Sequence, residues 1–335
     1  MKAIVYAQAG LPIDDARALY EVEVPRPEPG PRDLLVKIEA ISVNPVDSKL
    51  RLGVQPGGPR ILGWDAVGTV EAIGAEVSTF KPGDAVWYAG DMTRPGSYAE
   101  YSTVDERIAG HRPVTLPVAQ AAALPLTAIT AWELLFERLK IAEGGASGES
   151  LLVIGASGGV GSILVQLARK LTDLTVCGTA SRPTTQAWVR ELGAHHVIDH
   201  GKPLRPQLLE LGIEQVDHVI SLSHTDLYYE QIVDLLKPQG QLALIDDPSA
   251  LDAMPLKRKS ISLHWEFMFT RSMFRTIDMG KQQQLLNRVA ALIDQGVLRT
   301  TLGEHAGTIN ADNLRKAHAL LETNKAVGKI VLEGF

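Results

Sequence analysis

Residues 151–161 read Leu-Leu-Val-Ile-Gly-Ala-Ser-Gly-Gly-Val-Gly. A short apolar run passes directly into a glycine-rich turn, and a helical pattern follows at once. Val160, Ile163, Leu164, Leu167 and Leu171 recur at helical spacing, whereas Gln166, Arg169 and Lys170 fall off that face. Gly158 and Gly161 take the second and third glycine places of a dinucleotide fingerprint, with Ala156 where the first glycine is usual. Bare backbone lets the chain approach a pyrophosphate, whose charge then rests on the amides and positive dipole end of the helix. Ser157, Gly158, Gly159 and Val160 are the expected contacts. A tight structural turn is the alternative, but a strand before the glycines and a helix after them favour the phosphate cradle.

The 335 residues accommodate two domains. Up to about residue 116 the chain alternates short β-rich runs (2–7, 34–43, 67–73, 85–88) with turns such as Lys81-Pro82-Gly83-Asp84, which predicts an antiparallel, barrel-like unit. From 117 to 139 the period becomes helical. Beyond 151 strand and helix alternate: strand 151–155, helix 159–171, strand 175–180, a helix from Pro183 to Gly193, and strands 196–199 and 216–222. A helix capped by Thr225 and stopped by Pro238 and Gly240 then precedes strand 241–245. Such β-α-β repetition predicts a doubly wound parallel sheet with its ligand crevice at the carboxyl ends of the strands. A helix at 282–293 and a strand at 329–332 return to the first domain. The fold class expected is therefore α/β. Its boundaries are 1–127, joined by 265–335, for the β-rich domain and 128–264 for the dinucleotide domain.

A net charge of -6 argues against nucleic acid as partner. No apolar run approaches a membrane span, and the N-terminus resembles a strand rather than a signal peptide. The single cysteine, Cys177, fits a reducing cytoplasm.

The coenzyme is read at the end of the second strand, Gly178-Thr179-Ala180-Ser181-Arg182. An Asp or Glu there would accept from the ribose 2′-OH of NAD, and none is present. Ser181 and Arg182 suit a 2′-phosphate, and a charge-assisted contact of about 1.5–3 kcal/mol corresponds to roughly a tenfold to hundredfold preference for NADPH. Arg182 is otherwise a solvated residue at a helix start. His200, after the third strand, lies on the other side of the same phosphate or is a surface histidine. Leu222 and Ser223, ending the fourth strand, line the nicotinamide side by topology.

These features together resemble the medium-chain dehydrogenase/reductase superfamily across essentially the whole chain. Within it the chain most resembles the zinc-independent quinone oxidoreductases and the bacterial proteins called zinc-type alcohol dehydrogenase-like. The matching stretches are Asn44-Pro45-Val46-Asp47-Ser48-Lys49-Leu50-Arg51, Ile61-Leu62-Gly63-Trp64-Asp65-Ala66-Val67-Gly68, and residues 80–84, 127–134 and 155–161. The resemblance implies a GroES-like catalytic domain, a Rossmann domain and a homodimer. It also implies that Asn44 and Thr130 lie near the nicotinamide, Asn44 holding its carboxamide or a ribose hydroxyl. Relatives commonly carry Tyr at the place of Lys49 and Lys at that of Thr185.

Zinc alcohol dehydrogenases use a cysteine near the place of Asn44 and a His-Glu pair where this chain has Trp64-Asp65. Zinc favours Cys and His in a tetrahedral set. His195 and His196, adjacent near a strand, point to opposite faces and cannot chelate one ion. Metal-free transfer from NADPH to a quinone or an α,β-unsaturated carbonyl is the expected activity, because such acceptors delocalise the incoming charge onto oxygen. Lys49, Tyr88 or backbone amides could donate to that oxygen. A zinc-dependent alcohol dehydrogenase and a non-catalytic NADPH-binding or sensing protein are the alternatives. Asp47 and Arg51 are expected to form a structural ion pair. In the run 263–269, alternation puts His264, Glu266 and Met268 on one face and Trp265, Phe267 and Phe269 on the other. That run is a substrate wall, a dimer edge, or a buried core strand.

Overall fold

The computed structural model describes residues 1–335, and the chain forms two compact units, Met1–Ile129 with Phe269–Phe335 and Thr130–Met268. The first unit begins with β1 (Lys2–Tyr6), β2 (Tyr20–Glu23), β3 (Asp33–Ser42), β4 (Arg60–Ile61), β5 (Ala66–Ile73), β6 (Ala85–Tyr88), β7 (Tyr101–Asp105) and β8 (Ala109–His111). The second holds β9 (Ser150–Ile154), β10 (Thr175–Thr179), β11 (His196–Ile198), β12 (Val216–Ser221), β13 (Leu236–Leu244) and β14 (Ser262–Trp265). The chain then closes the first unit with β15 (Leu302–His305) and β16 (Lys329–Glu333).

In the first unit β2, β1 and β4 make a small antiparallel sheet. The main sheet runs β15-β16-β3-β5-β6-β8, with β7 also pairing β3. β3 is its centre. Leu34, Leu35, Val36, Ile38, Ala40 and Ile41 are all buried, since β5 covers one edge and β7 and β16 share the other. The GroES-like domain expected from the sequence is this unit.

The second unit is a six-stranded parallel sheet in the order β11-β10-β9-β12-β13-β14. The order reverses between β9 and β12, and an open α/β sheet takes its ligand at the carboxyl ends beside that switch. The helix Gly159–Leu171 packs Ile163, Leu164 and Leu167 inward and leaves Arg169 and Lys170 exposed. Gln166 departs from its pattern: it is buried, and its amide donates to the Ser162 carbonyl at 3.2 Å.

Pro238 and Gly240 do not stop a helix. The helix is Thr225–Leu235, and β13 starts at Leu236 and passes through both residues, with a register shift against β12 and Gln239 at φ +66° absorbing them. The helical region 117–139 divides into Val118–Ala122, Pro125–Trp132 and a wider π-turn over Glu133–Arg138. Residues Val118–Arg138 do reach the length and apolarity of a membrane span, contrary to the sequence reading. Of that window 83% is buried within the protein, as in a core helix.

The aromatic run is not a core strand. β14 ends at Trp265 on the sheet edge, Glu266 and Met268 turn inward, and Trp265 and Phe267 are 52% and 46% exposed. Phe269 leaves the alternation and packs edge-on against Trp64 with ring centroids 6.1 Å apart.

Glycine at 161 is required by close approach, since a Cβ there would fall 2.6 Å from Ala156 Cα and also meet the Gly155 carbonyl. At Gly158 the nearest atom would lie at an ordinary 3.5 Å. Gly161→Ala is therefore expected to cost about 1–3 kcal/mol and Gly158→Ala almost nothing. Chemical denaturation of both variants checks this, and equal midpoints would refute the packing argument.

Candidate active site

In the second unit, β9 delivers the chain into a turn whose first residue is Gly155, at φ +83°. A side chain there would press on Ser223 Oγ at 3.0 Å and Leu222 Cβ at 3.4 Å. Gly155, which the fingerprint reading passed over in favour of the 156 position, thus supplies the left-handed turn. Its place directly after the strand was the available signal. Ala156 is buried under Gly178, where an added Cβ would lie 2.9 Å away. Ser157, Gly158, Gly159 and Val160 remain partly exposed. Gly158 caps the helix, and the amides of Gly159, Val160 and Gly161 in its first turn have no helical carbonyl to bond.

Ser181 and Arg182 are exposed beyond β10. Arg182 caps the helix Pro183–Glu191, and its amide donates to Thr185 Oγ1 at 3.2 Å. Thr185 is buried in this cap, its hydroxyl donating in turn to the Arg182 carbonyl at 2.9 Å. Half-buried His200 follows β11, and half-buried Leu222 and Ser223 follow β12. One sheet edge therefore gathers the glycine turn, Ser181, Arg182, His200, Leu222 and Ser223, with no carboxylate at the end of β10. That chemistry fits a dinucleotide. Thr130 is buried at the start of this unit.

The first unit holds a buried polar cluster. Lys329, at the head of β16, is 4% exposed and Asp65 is fully buried. The Lys329 ammonium donates to the Val43 carbonyl at 2.9 Å, to Asp65 Oδ2 at 3.1 Å and to Asn44 Oδ1. Asp65 Oδ2 also accepts from Ser42 Oγ at 2.7 Å and Asn44 Nδ2 at 2.8 Å, and its Oδ1 accepts from the Leu126 amide at 2.7 Å. The Asn44 side chain, expected to grip the coenzyme, is instead engaged at both ends inside this network.

The helix Pro45–Gly53 begins beside it. Asp47 Oδ2 accepts from the Asn44 amide at 2.6 Å and from the Tyr98 hydroxyl at 3.0 Å. Tyr98 OH also meets His318 Nε2 at 3.1 Å, and His318 Nδ1 meets Ser48 Oγ at 3.2 Å. Asp47 and Arg51 do not pair. Arg51 turns away to the Leu11 carbonyl and to Glu322, each at 2.6 Å, because Glu322 ends a helix packed alongside. Lys49 is exposed on the same helix. Tyr88 is buried on β6 beside Ser102, and burial pushes its phenol pKa up, so it is poorly placed as a proton donor. His195, expected to point away from His196, accepts from the Val176 amide at 2.9 Å through Nδ1.

Residues 30–114 match the alcohol dehydrogenase GroES-like domain and residues 192–332 the zinc-binding dehydrogenase family. A zinc-type alcohol dehydrogenase-like protein of Staphylococcus aureus is 42% identical over 319 residues, covering 94% of each chain. The chain belongs to the medium-chain dehydrogenase/reductase superfamily. Among solved structures, a Rhizobium etli protein provisionally described as a zinc-dependent alcohol dehydrogenase is 52% identical, with a TM-score of 0.96 over 100% of this chain and 98% of that one. An Escherichia coli quinone oxidoreductase complexed with NADPH is 25% identical, with a TM-score of 0.85 over 99% of this chain and 100% of that one.

This member of the superfamily is an oxidoreductase by family, yet zinc does not fit its donor set. No three His, Cys, Asp or Glu side chains come together, and the amide and carboxylate of Asn44 and Asp65 already enclose an ammonium. Lys329 and His318 escaped the sequence reading, because their partners lie more than 200 residues away.

Burial pushes the Asp47 carboxyl up to about 7 against the opposing pull of the Asn44 amide, Tyr98 and Lys329. Burial draws the His318 imidazole down to about 3. Folded Asp47 keeps a proton that the unfolded chain releases above about pH 4, so its contribution is complete below that pH and is lost as pH rises through 7. His318 acts in the opposite sense, losing stability as pH falls below about 6.5 toward 3. Asp47→Asn mimics the protonated acid. Its unfolding midpoint is expected to match the parent below about pH 4, exceed it increasingly between about pH 4 and 7, and keep a constant lead above that. Parallel pH profiles of the two proteins would overturn the assignment.

Proposed function

We propose that this chain is an NADPH-dependent reductase of quinones or α,β-unsaturated carbonyl compounds that works without a metal. The observation that carries this is the Lys329 ammonium inside the donor set of Val43, Asn44 and Asp65. Zinc-dependent relatives use the equivalent region for a Lewis acid. An ammonium held on three internal acceptors cannot polarise a substrate oxygen, so acceptors that spread their own developing charge are favoured.

When bound, NADPH supplies a hydride. The protein's part is to position and to bind. The amides after Ser157 hold the pyrophosphate, Ser181 and Arg182 face the 2′-phosphate with His200 beside them, and Leu222 and Ser223 line the nicotinamide side. Exposed Lys49 can donate to the acceptor oxygen, and one such donor is worth about a hundredfold to a thousandfold in rate. The NADPH complex of the Escherichia coli quinone oxidoreductase supports both the coenzyme and the acceptor class. Cys177 is buried with its thiol pushed up to about 12, an inert cysteine consistent with a reducing cytoplasm.

Steady-state NADPH oxidation with benzoquinones, naphthoquinones and enones is expected to give turnover that survives exhaustive chelation. Arg182→Ala should raise the NADPH Kd roughly tenfold to a hundredfold and leave that for NADH unchanged. Tight NADPH binding with no acceptor reduced would point instead to a sensing role. Activity lost to a chelator and restored by zinc would refute the metal-free mechanism.

The same reading includes a homodimer. β14 is an unpaired edge strand of the parallel sheet, and Trp265 and Phe267 project from its end into solvent. A second copy pairing along that edge would cover them. Sedimentation of the native protein should give twice the chain mass, and Trp265→Asp should shift it toward monomer. A monomeric native protein would refute this part.

A further inference from the structure

The helix Pro45–Gly53 buries Asp47, Ser48, Leu50 and Arg51 and exposes Pro45, Lys49, Leu52 and Gly53. At about 100° per residue the first set forms one stripe and the second set its opposite, so Lys49 projects away from the interior. The buried stripe has an uncommon composition. Helices are ordinarily seated by an apolar stripe, whereas three of these four side chains are polar. Apolar contact is non-directional and tolerates a helix turning about its axis, but hydrogen bonds weaken steeply once misaligned.

Two partners of that stripe come from one neighbour, the helix Ala311–Glu322. His318 is fully buried and engaged at both ring nitrogens, Nδ1 with Ser48 Oγ at 3.2 Å and Nε2 with the Tyr98 hydroxyl at 3.1 Å. Tyr98 passes the contact on, donating to Asp47 Oδ2 at 3.0 Å. Its ring also stands edge-on to that of His318, with centroids 6.0 Å apart. One turn further along both helices, Arg51 donates to Glu322 at 2.6 Å. The two helices are thus joined by two polar rungs, and His318 is the centre of the first. Asp47 and Ser48, the residues it secures, immediately precede Lys49.

We propose that His318 is a positioning residue: by holding Ser48 directly and Asp47 through Tyr98, it fixes the rotation of the helix Pro45–Gly53 and so aims the Lys49 ammonium at the acceptor oxygen. The inference rests on the reading of Lys49 as that donor and adds the residues that keep it in place. His318 itself touches no acceptor, because none of its side chain reaches the surface. A donor must lie within hydrogen-bond reach of the oxygen on which charge develops, and a misplacement of about 1 Å can cost up to about a hundredfold in rate.

Single-turnover oxidation of bound NADPH by a naphthoquinone tests this, giving the rate of the chemical step and the half-saturating quinone concentration. Lys49→Met should slow the step about a hundredfold. Ser48→Ala, a small change at a buried site, should slow it roughly tenfold while leaving the NADPH Kd and the half-saturating concentration in place. Joined to Lys49→Met, Ser48→Ala should slow the step no further, because the group it aims is gone. His318→Leu should slow the step at least as much as Ser48→Ala. His318→Asn, whose amide oxygen can accept from Ser48 in place of Nδ1, should recover part of that loss. Should the His318 variants fold poorly, the cycle of Ser48 and Lys49 gives the answer alone. A Ser48→Ala protein as fast as the parent, or losses that multiply in full in the double variant, would overturn the positioning role and leave Lys49 as the donor. A Lys49→Met protein as fast as the parent would overturn the donor reading and the inference with it. Absence of turnover with quinones and enones alike would overturn the proposed activity and both of these.

Discussion

Lys329 carries its ammonium into the interior, and three protein oxygens answer that charge. Asp65 supplies the counter-ion, while Val43 and Asn44 supply neutral oxygens. Asp65 in turn draws in Ser42 at the end of β3 and the Leu126 amide at the start of the helix Pro125–Trp132. The acceptors come from separate stretches of chain, so the pair fixes the position of β16 against β3 as well as burying a charge. Such a pair adds little net stability, but removing one partner leaves the other unsolvated, typically at a cost of about 3–5 kcal/mol. Its role in the first unit is specificity of arrangement.

The helix Pro45–Gly53 inherits that arrangement through Asn44, which belongs to the cluster and caps the helix. Its first turn places Asp47 where two donors converge on Oδ2 while Oδ1 has no partner; the donors favour the carboxylate, and burial, which favours the neutral acid, outweighs them. A consistent direction follows for the remaining hydrogen bonds. Ser48 donates to His318 Nδ1, His318 Nε2–H donates to the Tyr98 oxygen, and Tyr98 donates to Asp47. This assigned tautomer leaves the imidazole neutral, as its burial requires. Between about pH 3 and 7 a carboxyl and an imidazole can therefore stay deeply buried together without a charge on either, while Arg51 pairs with Glu322.

The periodic parts of this architecture were legible in the sequence. The helix after the glycine turn and the runs that became β9, β10 and β12 stand close to where apolar spacing puts them, because each buries a continuous face. Local punctuation was less reliable. Pro238 and Gly240 stop an isolated helix, yet β12 and Lys259 hold them in a strand, Gln239 donating its amide to the Lys259 carbonyl at 2.6 Å. The polar cluster was the least legible. Asp47 and Arg51 have the spacing of a helical ion pair, but the Tyr98 hydroxyl donates to Asp47, while the Leu11 carbonyl and Glu322 take Arg51. Nothing within a window of twenty residues marks Lys329 as internal, except that it opens an otherwise apolar run. The strand–turn–helix shape around the glycines was legible as well, and only the glycine that makes its left-handed bend was displaced by one position.

The placement of the family matches bears on the metal. The zinc-binding dehydrogenase match spans residues 192–332, which includes Lys329 but neither Asn44 nor Trp64-Asp65, two places where zinc alcohol dehydrogenases carry ligands. Those positions, Asn44 and Trp64-Asp65, fall in the GroES-like match over 30–114. The donors must therefore be judged separately from the family description. Judged on their chemistry, they are an amide, a backbone carbonyl and a carboxylate around an ammonium. A carboxylate and an amide without thiolate or imidazole make a poor zinc set. The same groups make a good cage for a protonated amine, because an ammonium donates three hydrogen bonds and finds three acceptors here. A cation is still present in this part of the fold, but it is covalently part of the chain and cannot exchange its ligands for a substrate.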